Sequence, residues 1–239
     1  MTDAELARDI ATQAGALLLR IQDECASGDR GDREANALIL DWLETARPDD
    51  AILSEESADD LARLERSRVW IVDPLDGTRE FAERRDDWAV HVALAVDGRA
   101  EVGAVALPRL GLTLSSAAPP ALRDPQTPPR MLVSRTRPSA VCTDVAARIG
   151  AVPVGMGSAG AKAMAVVRGE AEIYLHTGGQ HQWDNCAPVA VALAAGLHAS
   201  RVDGSPIVYN SRETSIPDLL ICRKKWAEVV LDAVKGCGG

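Results

Sequence analysis

The sequence predicts a two-part mixed α/β protein: helices packed on an antiparallel sheet, followed by a layer of alternating strands and helices. Three observations carry this reading. Apolar residues recur at helical spacing over the first 45 residues. Strand-length apolar runs with a strong Asp97-Gly98 hairpin signal follow. Beyond a proline-rich stretch, strand and helix patterns alternate.

Thr2 and Glu5 form a capping box for a first helix. Leu6, Ile10, Leu17, Leu18 and Ile21 carry it to about residue 25. The polar segment S-G-D-R-G-D-R reads as a break, in which Asp29 and Asp32 serve as helix-capping residues. A second helix then presents Leu38, Ile39, Trp42 and Leu43 on one face. A-I-L-S (51–54) and V-W-I-V (69–72) are strands that each end at acidic residues. Next comes an alternating strand with Trp88, Val90, Val92, Leu94 and Val96 on one face, returning after the hairpin to about Leu107. L-T-L-S-S (112–116) adds another strand.

Residues 118–130 hold five prolines, which neither join a strand ladder nor continue a helix. They are read as a linker between an N-terminal domain, 1–117, and a C-terminal domain, 131–239. In the second part M-L-V-S precedes a helix from Pro138, V-P-V-G-M one from about Ser158, and E-I-Y-L one from Asp184 that ends at Gly196.

Composition narrows the function. The chain has 239 residues, 46% hydrophobic and 26% charged, within the ordinary range of a soluble globular protein. No apolar run is long enough to span a bilayer, the N-terminus does not read as a signal peptide, and stable membrane association is not expected. A net charge of −9 argues against nucleic acid as a partner and makes local cations necessary for any anionic substrate. Five scattered cysteines without C-x-x-C give neither a disulfide framework nor a zinc site and suit a reducing cytoplasm. A monomer or a homodimer is expected.

The chemistry concentrates in W-I-V-D-P-L-D-G-T (70–78). A buried strand runs into Asp73, Pro74 fixes φ, and the chain turns. Asp73, Asp76 and the Leu75 carbonyl can converge as hard oxygen ligands of the kind Mg²⁺ prefers. Gly77 and Thr78 open a helix whose N–H groups suit a phosphate. The same residues are also ordinary turn chemistry. Glu55, at the end of the preceding strand, can face the same sheet edge, whereas Glu56 reads as its solvated neighbour. Asp184, taken alone, reads as a helix N-cap, and His176 and His181 as loop polarity. The D-x-x-D-G-T spacing differs from the D-x-D-G-T of haloacid-dehalogenase-type phosphatases, so no phospho-aspartyl intermediate is assigned.

Together, S-E-E (54–56), D-P-L-D-G-T (73–78), G-S (157–158) and W-D (183–184) resemble the lithium-sensitive, magnesium-dependent phosphatase superfamily that includes inositol monophosphatase. The resemblance implies a layered α-β-α-β-α sandwich with metals between its halves. Within the superfamily, D-G-T-R-E-F (76–81), G-S-A-G-A-K (157–162) and D-G-S-P-I-V-Y-N (203–210) are most similar to bacterial 3′(2′),5′-bisphosphate nucleotidases of the CysQ type. Those enzymes remove the 3′-phosphate of adenosine 3′,5′-bisphosphate (PAP), a by-product of sulfate assimilation; PAPS is a further candidate substrate. The runner-up is an inositol monophosphatase or a fructose-1,6-bisphosphatase-like sugar phosphatase of broad specificity. The reading outside enzymes is a nucleotide- or metal-binding sensor.

The resemblance implies that Glu55, Asp73, Leu75, Asp76 and Asp184 hold two or three Mg²⁺, and that Thr78 with Glu55 and Asp32 orients the attacking water. Asp32 matches the last Asp of a family loop that is shortened here to A-S-G-D-R-G-D-R-E-A-N and lacks its Lys and Thr. Substrate contacts fall on Leu75, Asp76, Gly77, Thr78, Arg79, Gly157, Ser158, Lys162 and Asp184. Lys162, on the family lysine, is the first candidate for the 5′-phosphate and Arg79 the second. Clustered carboxylates repel one another without metal. Replacing Asp76 by Asn is therefore expected to weaken metal binding while the metal-free fold holds or gains stability.

Overall fold

A computed structural model describes residues 1–237 of the chain. Helix α1 (Asp3–Glu24) begins at the Thr2–Glu5 capping box and buries Leu6, Ile10, Leu18 and Ile21. Helix α2 (Gly28–Ala46) starts inside the segment expected to be a break, with Ser27 as its N-cap. Its buried face is Ala35, Ile39 and Leu43, spaced four apart, which leaves Trp42 38% exposed at the edge of the stripe.

The first sheet has the order β1 (Ala51–Ser54), β2 (Arg68–Asp76), β3 (Ala89–Val96), β4 (Arg99–Leu107), β5 (Leu112–Ser115). It is not wholly antiparallel, because β1 pairs parallel with β2. The connection between them carries a 3-10 turn, Leu61–Glu65, and returns the chain to the same end of the sheet. Both strands therefore finish at one edge. Asp97 and Gly98 both have positive φ, 48° and 76°, as the tight hairpin between β3 and β4 requires.

Residues 116–129 contain no helix or strand, and the second sheet opens at Arg130, inside the stretch read as linker. Strands β6 (Arg130–Ser134), β7 (Val152–Met156), β8 (Ile173–His176), β10 (His198–Ser200) and β12 (Leu219–Cys222) form it in the order β10-β12-β8-β6-β7. The short strands β9 (Gln180–His181) and β11 (Ser215–Ile216) pair separately. Helices α3 (Thr78–Ala82), α4 (Ala140–Ile149), α5 (Ala159–Val167), α6 (Gln182–Ala194) and α7 (Lys224–Lys235) complete the described chain.

Strand alternation sorts these elements into five layers. Trp70, Val72, Val90, Val92 and Leu94 face α1 and α2. Their neighbours Val69, Ile71, Ala89, Ala93 and Ala95 face the middle helices α5 and α6, which also pack on Leu132, Tyr174, Leu219 and Ile221 of the second sheet. Met131, Val133, Ile173 and Leu220 face α4 and α7 on the far side. This is the α-β-α-β-α sandwich, and its central core draws on both sheets.

Candidate active site

The parallel pairing of β1 with β2 places Ser54 opposite Val72, so Glu55 and Asp73 follow side by side at the sheet edge. The Glu55 N–H extends the ladder to the Val72 carbonyl at 3.2 Å. Asp73 pairs with His91 and Asp76 with Ala89, so three steps along β2 match two along β3. That bulge matters. Residues three apart on a regular strand face opposite sides, and one inserted residue returns both aspartates to the same side. Pro74, lacking an N–H, sits within it. Asp184 arrives from the other half, in the first turn of α6. It is not the N-cap residue itself. His181 holds that position, and the Asp184 carboxylate accepts the His181 N–H at 2.5 Å. One carboxylate oxygen from each of Asp73, Asp76 and Asp184 lies within 4.8 Å of the others.

The carboxyl groups differ in what compensates them. Burial lifts Asp73 well above the usual carboxylate range, and the charges of Glu55, Asp76 and Asp184 add to this. Its Oδ1 accepts the Leu75 N–H at 3.0 Å, while Oδ2 is buried without a hydrogen-bond partner. Desolvation of the Glu55 carboxyl, with the Asp184 and Asp76 charges, pushes it up to about 7. Asp184 is pushed up to about 6 by burial and Asp76. Asp32 is also pushed up to about 7, by burial and the charge of Glu56, against a hydrogen bond from Thr78. Asp32 thus caps nothing: it is a buried residue within α2, beside Thr78. The Thr78 hydroxyl oxygen lies 3.3 Å from the Leu75 carbonyl.

Asp76 stands apart. It is buried, yet held down at about 2 by the His91 ring and by Ser158 and Gly160, which overcome the burial. Its Oδ2 accepts the Ser158 hydroxyl and the Gly160 N–H (2.6 Å), and its Oδ1 accepts the Ala159 N–H at 3.1 Å. Asp76 therefore caps α5, a helix of the other half of the molecule. The fully buried His91 lies with Nε2 3.2 Å from Asp76 Oδ2 and Nδ1 3.0 Å from the Trp183 carbonyl. The Asp76 charge beside Nε2, which makes no hydrogen bond, and the Trp183 carbonyl at Nδ1 raise the pKa of His91 despite its burial. Gly160 makes room for the ring, since a Cβ there would overlap Nε2. Capping and the His91 charge hold Asp76 as a carboxylate, which argues against the expected gain in metal-free stability on its replacement.

Asp76, Thr78, Ser158 and Asp184 line a cleft of about 300 Å³. Glu80, Arg79, Arg135 and Arg137 line it as well, whereas Glu55, Asp73, Asp32 and His91 do not. The guanidinium groups of Arg79 and Arg137 are exposed, with no ion pair or hydrogen bond among the described residues. Lys162 also borders the cleft but is buried, its Nζ donating to the carbonyls of Gly157 (3.1 Å), Ser158 (2.5 Å) and, more weakly, Met156 (3.4 Å). It lies 5.3 Å above the Tyr174 ring. With its three N–H donors engaged, Lys162 braces the turn that presents Gly157 and Ser158, and it is not free to take a phosphate. The Gly157 N–H is itself donated to Asp87 at 2.7 Å. His176 bonds the Gly179 carbonyl and His181 stacks on Trp183, outside the carboxylate cluster.

Sequence reading missed His91, Arg135 and Arg137. His91 is the one ionisable residue in A-V-H-V-A-L-A-V, on the face opposite the alternating row, and that position was its signal. Arg135 and Arg137 stand in S-R-T-R just past β6, at a sheet edge that only the fold brings to the cleft.

Hard oxygen donors carrying surplus negative charge, one of them an orphaned buried oxygen, fit a divalent cation of the Mg²⁺ class. Comparison with known proteins agrees with the fold. The chain is 48% identical to the 3′-phosphoadenosine 5′-phosphate phosphatase of Mycobacterium leprae, over 98% of this chain and 94% of that one. It is 33% identical to the 3′(2′),5′-bisphosphate nucleotidase CysQ of Escherichia coli, over 77% and 79% of the two chains. Its backbone superposes on the crystal structure of CysQ from Bacteroides thetaiotaomicron with a TM-score of 0.79 and 24% identity, covering 93% and 97%. The family model described as the inositol monophosphatase family matches residues 28–238. With nearly the whole chain matched and the acidic turn at its centre, this protein belongs to the inositol monophosphatase family, whose members are metal-dependent.

Proposed function

We propose that this protein is a Mg²⁺-dependent phosphatase that hydrolyses the 3′-phosphate of adenosine 3′,5′-bisphosphate to give AMP and inorganic phosphate. The observation that carries this reading is the mixed lining of the cleft. In a strongly acidic protein, the cleft that holds Asp76 and Asp184 is also lined by Arg79 and Arg137, whose side chains have no partner among the described residues. Such a cleft suits a molecule with two phosphates, one to be cleaved and one to be held. The named activities of the M. leprae and E. coli relatives support the same substrate class.

In this reading Glu55, Asp73, Asp76, Asp184 and the Leu75 carbonyl hold the cations. Bound Mg²⁺ neutralises phosphate charge and acidifies water. The chain's own part is positioning and proton handling. We assign Asp32, raised to about 7 and beside Thr78, to act with Thr78 and Glu55 on the attacking water, orienting it and taking its proton. Water oxygen bonds to phosphorus, the bond to O3′ breaks, and O3′ gains a proton. Ser158 and Lys162 keep the opposing wall of the cleft in place. Arg137 and Arg79 take the 5′-phosphate, in place of Lys162. Among the described residues no helix is long and apolar enough to cross a membrane.

The test is a phosphate-release panel in Mg²⁺ with adenosine 3′,5′-bisphosphate, inositol 1-phosphate and fructose 1,6-bisphosphate. The bisphosphate nucleotide should lead in kcat/KM by about tenfold or more, which needs only about 1.4 kcal/mol of differential transition-state binding. A preference for inositol 1-phosphate would overturn the reading.

A further inference from the structure

One ion pair in the cleft wall joins the two halves and has no part in the metal centre. Glu80, on α3 just beyond the metal-binding turn, accepts Arg135 Nη2 at 2.8 Å and Nε at 3.3 Å. Arg135 Nη2 also reaches Glu83 at 2.9 Å. The pair is partly shielded, with side-chain exposures of 10% for Glu80 and 27% for Arg135. Gly157 closes over Glu80 from the other half, where a Cβ would overlap the Glu80 Cγ. The Glu80 carboxylate is thus held from two directions.

Arg135 begins the segment that carries Arg137. Its N–H bonds the Met156 carbonyl at 3.2 Å, and the Arg137 N–H bonds the Ser134 hydroxyl at 3.2 Å. Those bonds tie the segment to its own sheet. The Glu80–Arg135 pair ties it to the half that bears the metal turn, and Arg137 lines the same cleft as Asp76 and Asp184.

We propose that Glu80 is a specificity-positioning residue: through Arg135 it fixes Arg137 at the reach of the second phosphate, and so governs discrimination between bisphosphate and monophosphate substrates. This rests on the reading of the cleft as a bisphosphate site. A partly shielded carboxylate–arginine pair, with Nη2 and Nε converging on one Glu80 oxygen and Gly157 packed against the Glu80 stem, is more restrained than an exposed pair would be.

The test compares adenosine 3′,5′-bisphosphate with adenosine 3′-monophosphate, which offers the same scissile phosphate and lacks the remote one. In wild type the bisphosphate should be favoured at least about tenfold in kcat/KM. Glu80→Gln, isosteric and uncharged, should cut that ratio by about tenfold, mainly through KM. Arg137→Ala should cut it at least as far. The double variant should be no worse than Arg137→Ala, since Glu80 acts through Arg137. Calorimetric binding of 5′-AMP to metal-free protein should weaken in the same order, which removes catalysis and metal from the readout. An unchanged ratio in a folded Glu80→Gln variant, equal loss on both substrates, or additive loss in the double variant overturns the inference and leaves the nucleotidase reading standing. A wild-type enzyme indifferent to the 5′-phosphate overturns both.

Discussion

Asp73 and Asp76 lie three residues apart in one motif, yet their replacement by Asn should move metal-free stability in opposite directions. Asp76 is held at about 2 against an ordinary 3.8. By linkage that difference is worth about 2 kcal/mol above pH 4, fading as pH falls through the folded value. Asn also offers one acceptor where the carboxylate takes Ser158, Ala159 and Gly160. Its amide would face a buried N–H, a further cost of about 1–3 kcal/mol. Asp76→Asn should therefore lose roughly 3–5 kcal/mol, or about 6–20 °C in Tm for a chain of this size. Asp73 is the reverse case. Asn keeps the acceptor for the Leu75 N–H and removes a charge that its neighbours oppose. Its metal-free Tm should hold or rise. Both variants should need more Mg²⁺ for turnover. The assay is thermal melting at pH 7.5 in EDTA, beside an Mg²⁺ titration of activity. Equal melting of Asp76→Asn and wild type would refute the capping role. A fall in Asp73→Asn matching that of Asp76→Asn would refute the account of uncompensated charge.

Metal-free protein should melt higher at pH 5 than at pH 8. Glu55 and Asp32 sit near 7 and Asp184 near 6, all raised, so stability is lost as pH rises through those values, and the raised His91 acts in the same sense. Saturating Mg²⁺ should flatten the slope, and a flat Tm in EDTA would contradict it. Lys162→Met should lower kcat/KM alike for adenosine 3′,5′-bisphosphate and adenosine 3′-monophosphate, because it unties three carbonyls beside Ser158. A loss confined to the bisphosphate would return Lys162 to the 5′-phosphate.

Patterns that depend on near neighbours were legible in the chain itself. The capping box at Thr2, the Asp97-Gly98 hairpin and the row from Trp88 to Val96 each follow from spacing. The convergence of Asp73 and Asp76 was visible as a motif, but its cause, a bulge against β3, depends on the partner strand. The start of α2 was hidden because the glycines and aspartates of S-G-D-R-G-D-R mimic a turn, while packing of Ala35, Ile39 and Leu43 pulls the helix back to Gly28. Trp42 was misplaced because any large apolar residue near the stripe reads as part of it. Lys162 could not be judged from its motif, since three carbonyl partners come from the turn before it. Arg137 depends on a long-range meeting of two halves.

The capping of α5 by Asp76 has an evolutionary corollary. In a lineage that no longer needs catalysis, Glu55 and Asp73 are free to drift, because the folded chain gains by losing their charge. Asp76 is not, because α5 belongs to the middle layer on which both sheets rest. Among descendants that have gone silent, the motif should decay from its first aspartate and keep its second. A surviving second aspartate is thus a record of architecture, and the aspartate three places before it is the better witness to a working enzyme.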